Sequence, residues 1–397
     1  MAAFIIGYGL IALVILFVTF SILVKKKILF GNTIAVQRIF ANPLLHYSLK
    51  RILSSLISIA LAMLVTFFLI RIARPANESC ARLFNDPKVP AAVKQLQCDT
   101  WKESMGLSGS IFEQLIRFIY SLIPIPKLVC VTTYDIIGGS YQAIISDCKT
   151  VIFDLGRIYE MGVPPDGTLV TDFMFERMGV SFRITIFAVI LELALGYPFG
   201  ILMAKYQNGI FDKIGKGYIM IVDAIPGLAY YYLWMVLLCY VFKLPSHFDT
   251  EKGPVYLVLS SLPAILTMSF AGMSGIGLWV RRYMVDEFNS DYVKFARSKG
   301  LSENRIMGIH ILRNAVVPLA RTFPSAIIGA LMGSYFIERM YGIDGIGRTL
   351  TTAVQNAVPN VWLIQGLILF SAFLSVLSYL LGDIVTAAVD PRISFEA

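Results

Sequence analysis

The sequence predicts an all-α polytopic membrane protein with about seven transmembrane helices and an extracellular insertion of about 100 residues. Three observations carry this. The chain is 57% hydrophobic and 15% charged, with mean hydropathy +0.71, whereas a soluble domain is nearer half apolar and a quarter charged. Apolar runs long enough to cross a bilayer recur along it. The net charge of +8 comes from Lys and Arg gathered in the loops that flank those runs. No basic run with interleaved aromatics suits a nucleic-acid face, so no nucleic acid is expected.

In chain order, residues 3–24 are apolar without interruption, and Lys25, Lys26 and Lys27 follow at once. The run lacks a basic leading region and a small-residue cleavage site, so it reads as a span and not a signal peptide. Residues 1–51 are this helix and a linker, whose 37–47 portion mixes apolar and polar residues as an interfacial segment does. Residues 52–74 are the next span, closed by Arg71 and Arg74. Further spans are predicted over 181–204, over 218–241 with a bend at Pro226-Gly227, over 255–280, over 320–336 and over 361–388. The 255–280 run is rich in Ser269, Ala271, Gly272, Ser274, Gly275 and Gly277, which let helix backbones approach closely. Loops 25–51, 205–216 and 281–321 are richer in Lys and Arg than the short loops that hold Lys243 and Lys252 or Arg339 and Arg348. That bias predicts the N-terminus outside and the C-terminus in the cytoplasm.

Residues 75–178 hold no spanning run and fall outside the membrane on this topology. Four of the five cysteines lie there: Cys80, Cys98, Cys130 and Cys148. An even set confined to one external segment suggests disulfides in an oxidising compartment. Three pairings are open. The equal sequential gaps favour Cys80–Cys98 and Cys130–Cys148, and four buried thiols are the plainer alternative.

Several chemistries find no footing. Gly209 to Gly217 has the wrong glycine spacing for a phosphate loop, with Gly217 where a hydroxyl is needed. Gly342, Gly345 and Gly347 follow no strand, so a dinucleotide fingerprint does not apply. His46, His247 and His310 are far apart, and no Cys-x-x-Cys occurs. No catalytic residue, no metal site and no cofactor are expected in this chain. Two acids stand out in the spans: Glu192 near the middle of one, Asp223 just before the Pro226 bend. Ionisable groups at such depth face a cavity or a partner. Each is a candidate pathway residue, against the plainer reading of a hydrogen-bonded helix contact.

The stretch 286–318 reads DEFNSDYVKFARSKGLSENRIMGIHILRNAVVP. Ser290-Asp291 can cap a short helix over Tyr292–Lys299, Gly300 can stop it, and Ser302-Glu303 can start a second helix to about Val317. Pro318 suits the start of the next span. These residues carry a resemblance. Asp291-Tyr292, Ala296-Arg297, Lys299-Gly300-Leu301 and Arg313-Asn314-Ala315 to Pro318 are similar to the coupling motif of ABC-importer permeases, and more narrowly of the B-type permease of the oligopeptide, dipeptide and nickel branch. Glu338 with Gly342-Ile343-Asp344-Gly345-Ile346-Gly347-Arg348 matches a second block, where Asp344 departs from the usual Pro. Asp383 to Asp390-Pro391-Arg392 matches a third. In the outer segment, residues 112–118 resemble the family's amphipathic external helix, and Asp154-Leu155-Gly156-Arg157 the block that normally follows it. The intervening stretch with Cys130 and Cys148 reads as an insertion. The resemblance covers roughly residues 47 to 392, and the leading helix is an addition to it.

The resemblance implies a non-enzymatic translocation subunit, with 179–397 as the permease core. Expected partners are a second, C-type permease, two ABC ATPase subunits that hold ATP and magnesium, an extracellular substrate-binding protein and the lipid bilayer. Asp291, Tyr292, Ala296, Arg297, Lys299, Gly300, Leu301, Glu303, Arg313 and Pro318 would couple the chain to an ATPase. Peptide is preferred to nickel as substrate. The other classes open are a stand-alone channel or secondary transporter, and a membrane anchor for the outer segment. The inner loop argues against the channel or transporter, as does the lack of an evident inverted repeat; copurification of ATPase subunits would separate the permease from both.

Overall fold

A computed structural model describes residues 43–73, 87, 90–123, 125–137, 140–158, 168–320, 322–355 and 360–389. The predicted span over 3–24, the linker up to residue 42, Cys80 and the tail from Asp390 lie outside the described residues. The chain divides into two compact units. One comprises Met1–Met174, Thr352–Ala372 and Phe395–Ala397; the other comprises Phe175–Thr351 and Phe373–Ser394.

The first unit begins with α1 (Pro43–Ala73), whose stretch Ile52–Ile72 is apolar enough to cross a membrane. Next come α2 (Ala91–Ser104) and α3 (Ile111–Leu122). A capping box starts α3: the Ser110 hydroxyl accepts from the Glu113 N–H, and the Glu113 carboxylate accepts from the Ser110 N–H. An antiparallel hairpin follows, β1 (Lys127–Ile137) with β2 (Ser140–Val151), in register from Lys127 opposite Val151 to Ile137 opposite Ser140. The helical membrane class holds, and the stretch 75–178 adds this hairpin to it. Cys130 and Cys148 are joined by a disulfide near its base, where the register slips between Val129 and Val131. Cys98 is also disulfide-bonded; the Cys80–Cys98 pairing falls partly outside the described residues. A short pair, β3 (Arg157–Ile158) with β4 (Thr168–Leu169), leads into α4 (Val170–Lys205).

The second unit holds most of α4, then α5 (Ile210–Ala224), α6 (Gly227–Met235) extended by a π turn over Val236–Val241, and α7 (Pro254–Glu287). α5 and α6 meet at 110°. Pro226 stands at that break and denies α6 a continuous backbone ladder. α4 and α7 pack along positions four residues apart on α4, Ala188, Glu192, Gly196 and Gly200, three of them small. The Ser269 hydroxyl donates to the Ala188 carbonyl at 3.0 Å, and a Cβ on Gly272 would run into the Glu192 carboxylate. One on Gly200 would meet Gly277 and Val280. Close backbone approach here needs residues without bulk, as the composition of the 255–280 run suggested.

Beyond α7 lie α8 (Asp291–Ser298), α9 (Glu303–Arg305) with a π turn over Ile306–Ile311, α10 (Leu312–Ala320), α11 (Thr322–Gly329), α12 (Tyr335–Tyr341) and α13 (Ile346–Gln355). α14 (Val361–Val389) closes the fold. Among the described residues four helices are long and apolar enough to span, or five if the bent α5–α6 pair counts as one. The span predicted over 320–336 is not one of them. Its apolar run breaks between α11 and α12, where Gly333 takes φ +63° against the buried Glu338. Pro318 also differs from expectation. It lies within α10 instead of opening a new helix.

Candidate functional site

Two groups of residues stand out in the second unit. The first is the helix pair α8 and α9–α10, on the loop that charge assigns to the cytoplasm. α8 ends in a doubly bonded reversal: the Gly300 N–H donates to the Arg297 carbonyl at 2.9 Å and the Leu301 N–H to Ala296 at 3.3 Å. That geometry needs the left-handed conformation that Gly300 adopts, φ +76°. Ser290 and Ser302 stand at the predicted N-cap positions, but neither side chain caps. The Ser290 hydroxyl donates back to the Glu287 carbonyl.

The pair stands on an apolar base. Val293 and Ala296 of α8, Ile306 and Ile311 of the π turn, and Ala315 and Leu319 of α10 are buried with Val280 and Met284 of α7 and Ala204 of α4; Leu301 packs on their edge. Full burial of a side chain such as Ile306 or Ile311 stabilises by about 2 kcal/mol. Ala296 therefore gives close approach within the pair, not to an outside protein. Tyr292 ties the pair to α7, its hydroxyl donating to Glu287 Oε2 at 2.6 Å. Burial, and then that bond, pushes the phenol pKa up.

The remaining side chains face outward. Arg297 is held on Glu303 by two hydrogen bonds of 2.7 and 3.2 Å. The bond to Arg297 lowers the Glu303 carboxyl, and the Lys294 ammonium lowers Asp291. Lys299 lies over the Phe295 ring at 4.3 Å. Phe295 and Ile309 are 60% and 53% exposed. Gly300, Arg313 and Pro318 are exposed as well. Thus the predicted coupling residues lie on α8, the Gly300 turn and α9–α10, with Ala296 buried, Tyr292 and Leu301 half-buried and the rest exposed.

Beside this base lies an ion cluster that the sequence reading missed. Asp212 is fully buried and receives Arg281 at 2.5 and 2.9 Å, Lys216 at 2.9 Å and the Asn208 N–H at 2.9 Å. It fastens the start of α5 to α7. The i,i+4 spacing of Asp212 and Lys216 was a visible signal; Arg281 was not.

The second group is the glycine block. Glu338 is 3% exposed. Its carboxylate accepts from the Ser181 hydroxyl at 2.7 Å and the Arg348 N–H at 2.8 Å, and Ser181 accepts in turn from the Ile346 N–H. Any Cβ on Gly333, Gly345 or Gly347 would collide with this carboxylate or its neighbours. Burial raises the Glu338 pKa, and these hydrogen bonds pull it back. Asp344, at the departure from the usual Pro, is exposed and pairs with Arg348 at 2.8 Å and Arg177 at 3.6 Å.

The candidate pathway acids sit apart from both groups. Glu192 is half-buried against Gly272 on the α4–α7 seam, and Asp223 is exposed at the end of α5. Among the described residues no three metal-ligating side chains cluster.

Comparison with known proteins gives this arrangement its class. The family described as binding-protein-dependent transport system inner membrane component matches residues 196–395, and the chain belongs to it. The match starts within α4 and takes in the helix pair and the glycine block, leaving α1 to β4 outside. Among individual proteins, the chain is similar to the oligopeptide transport system permease protein AmiC of Streptococcus pneumoniae, 35% identical over 224 residues, 56% of this chain and 44% of the relative. The aligned part thus spans less than half of that relative's length. It is also similar to the oligopeptide transport system permease protein AppB of Bacillus subtilis, 27% identical over 364 residues, 88% of this chain and 99% of the relative. The methionine ABC transporter MetNI, in inward-facing form, aligns at 14% identity and TM-score 0.44, covering 55% of this chain and 97% of that one.

Proposed function

We propose that this chain is a permease subunit of an ATP-driven ABC importer, forming half of a translocation pathway for oligopeptides or dipeptides. The observation that carries the reading is the helix pair. A rigid apolar base presents Phe295, Arg297, Lys299, Glu303 and Ile309 outward, a surface suited to a groove on another protein. That protein is an ATPase subunit, whose closure on ATP moves the pair and alternates access to the pathway. A C-type permease supplies the other half, an extracellular binding protein delivers substrate, and the N-terminus lies outside with the C-terminus in the cytoplasm. Glu192, on the α4–α7 seam, is the acid best set to meet a peptide's amino terminus. The names of the AmiC and AppB relatives support peptide over nickel.

The test is purification with tags on this chain alone, then ATPase assays of the reconstituted complex with binding protein and either peptide or nickel. Copurified ATPase subunits, stimulated by peptide and not nickel, are the expected result. Absence of ATPase subunits would sink the coupling role, and stimulation by nickel alone would sink the peptide assignment. Reporters fused at residue 1 and after Ala397 are expected on opposite sides of the membrane.

A further inference from the structure

We infer that α3 lies in the membrane interface, with one of its faces in lipid. The helix carries three faces. Phe118 and Ser121 point inward and are buried; Phe118 stacks on Phe67 of α1 at 5.3 Å between ring centroids, in a cluster with Met63, Trp362, Ile368 and Leu369. Glu113 and Arg117 form a second, polar face, where Arg117 reaches back to Ser108. Phe112, Ile116 and Ile119, with Ile123 at the C-cap, form the third. Their spacing of four, three and four places them on one stripe, and they are 67%, 53%, 47% and 43% exposed.

The depth of that stripe points to lipid as its occupant. Phe67 and Arg71 lie in the last turns of the candidate span Ile52–Ile72, and Trp362 in the first turn of the candidate span Val361–Thr386. The two spans run in opposite directions, so the exit of one and the entry of the other mark the same membrane face. α3 is fastened at both marks: Arg71 donates to Gln114 at 2.8 Å, and Trp362 packs in the Phe118 cluster. Trp at a span end is characteristic of the headgroup zone. Val65, Leu69 and Ile72 in the same end of α1 are exposed apolar groups as well. Three faces, inward, polar and apolar, are what a helix at a protein–lipid–water junction needs. Lys127 holds the C-terminal end by donating to the Ser121 and Ile123 carbonyls at 2.8 Å each. The inference rests on α1 and α14 being spans, not on the cargo.

Single spin labels settle it, on Phe112→Cys, Glu113→Cys, Ile116→Cys, Arg117→Cys and Ile119→Cys in a Cys239→Ser chain, assembled with its partners in phospholipid nanodiscs. Labels at 112, 116 and 119 are expected to collide more with oxygen than with a water-soluble nickel chelate, and those at 113 and 117 the reverse. Chelate-dominated collisions at all five would overturn the inference by placing the helix in water. Labels at 112, 116 and 119 shielded from both probes would overturn it by placing a protein there. Phe112→Trp gives an independent reading: brominated acyl chains are expected to quench the added fluorescence, and no added quenching would also overturn the inference.

Discussion

The helix pair after α7 and the glycine block are built on opposite plans. The helix pair hides its apolar side chains and turns nearly all its charges outward. The glycine block hides its charge, surrounding Glu338 with a hydroxyl and backbone N–H groups, and leaves Asp344 outside. A buried carboxylate with its donors supplied needs nothing further. Exposed Phe295 and Ile309 lie amid Arg297, Lys299 and Glu303, the surface proposed above to meet an ATPase. The two regions should therefore fail in different ways when altered, one in stability and the other in coupling.

The largest effect is expected at Glu338. Glu338→Ala leaves the Ser181 hydroxyl and the Arg348 N–H buried without an acceptor, at about 1–3 kcal/mol each, so a loss of about 4 kcal/mol should appear as a marked fall in thermal midpoint. The pH dependence has a definite sign. Since the folded pKa is raised, the folded state binds the proton more tightly, and this group's contribution to stability falls as pH rises from the ordinary carboxyl range through the raised value. Glu338→Gln should erase that slope in melts recorded across pH. Next is Gly300→Pro. Proline cannot reach φ +76° and lacks the N–H that Gly300 gives Arg297, a cost of about 3 kcal/mol. Peptide-stimulated ATPase activity should fall with the chain still in the membrane; unchanged coupling would refute the assignment of this turn.

Ala296→Leu should cost about 2 kcal/mol by overpacking the base, and should reduce coupling by shifting α8 against α9, read out by the same assay. Smallest in stability is Arg297→Ala. An exposed pair such as Arg297–Glu303 contributes at most about 1 kcal/mol, so the melt should barely move while ATPase subunits bind more weakly on copurification. If Arg297→Ala melts like Glu338→Ala and binds normally, the contrast between the two regions fails.

The helix pair was legible in the sequence because its signals are local. A glycine at a helix end, acids at helix starts and basic residues beside an apolar run sit within a few positions of one another. Glu338 and its glycines were visible as a motif, but the reason for them was not. Ser181 lies 157 residues from Glu338, and Arg281 lies 69 from Asp212. No local pattern reports such meetings. The run over 320–336 likewise does not report its own break, where Gly333 packs against Ser181 as well as the Glu338 carboxylate. The hairpin's local signal is Gly138-Gly139 between two runs of strand-forming residues.

One further consequence belongs to α7. At about 1.5 Å per residue its 34 residues reach about 51 Å, and only Phe288, Asn289 and Ser290 separate it from α8. Between Pro263 and that junction it touches Tyr341 through Thr267, Ala188 through Ser269, Glu192 at Gly272 and Asp212 through Arg281. A hydrogen-bonded rod stretches little along its axis. Any displacement of α7 along its axis would therefore reach all four contacts together instead of in relay.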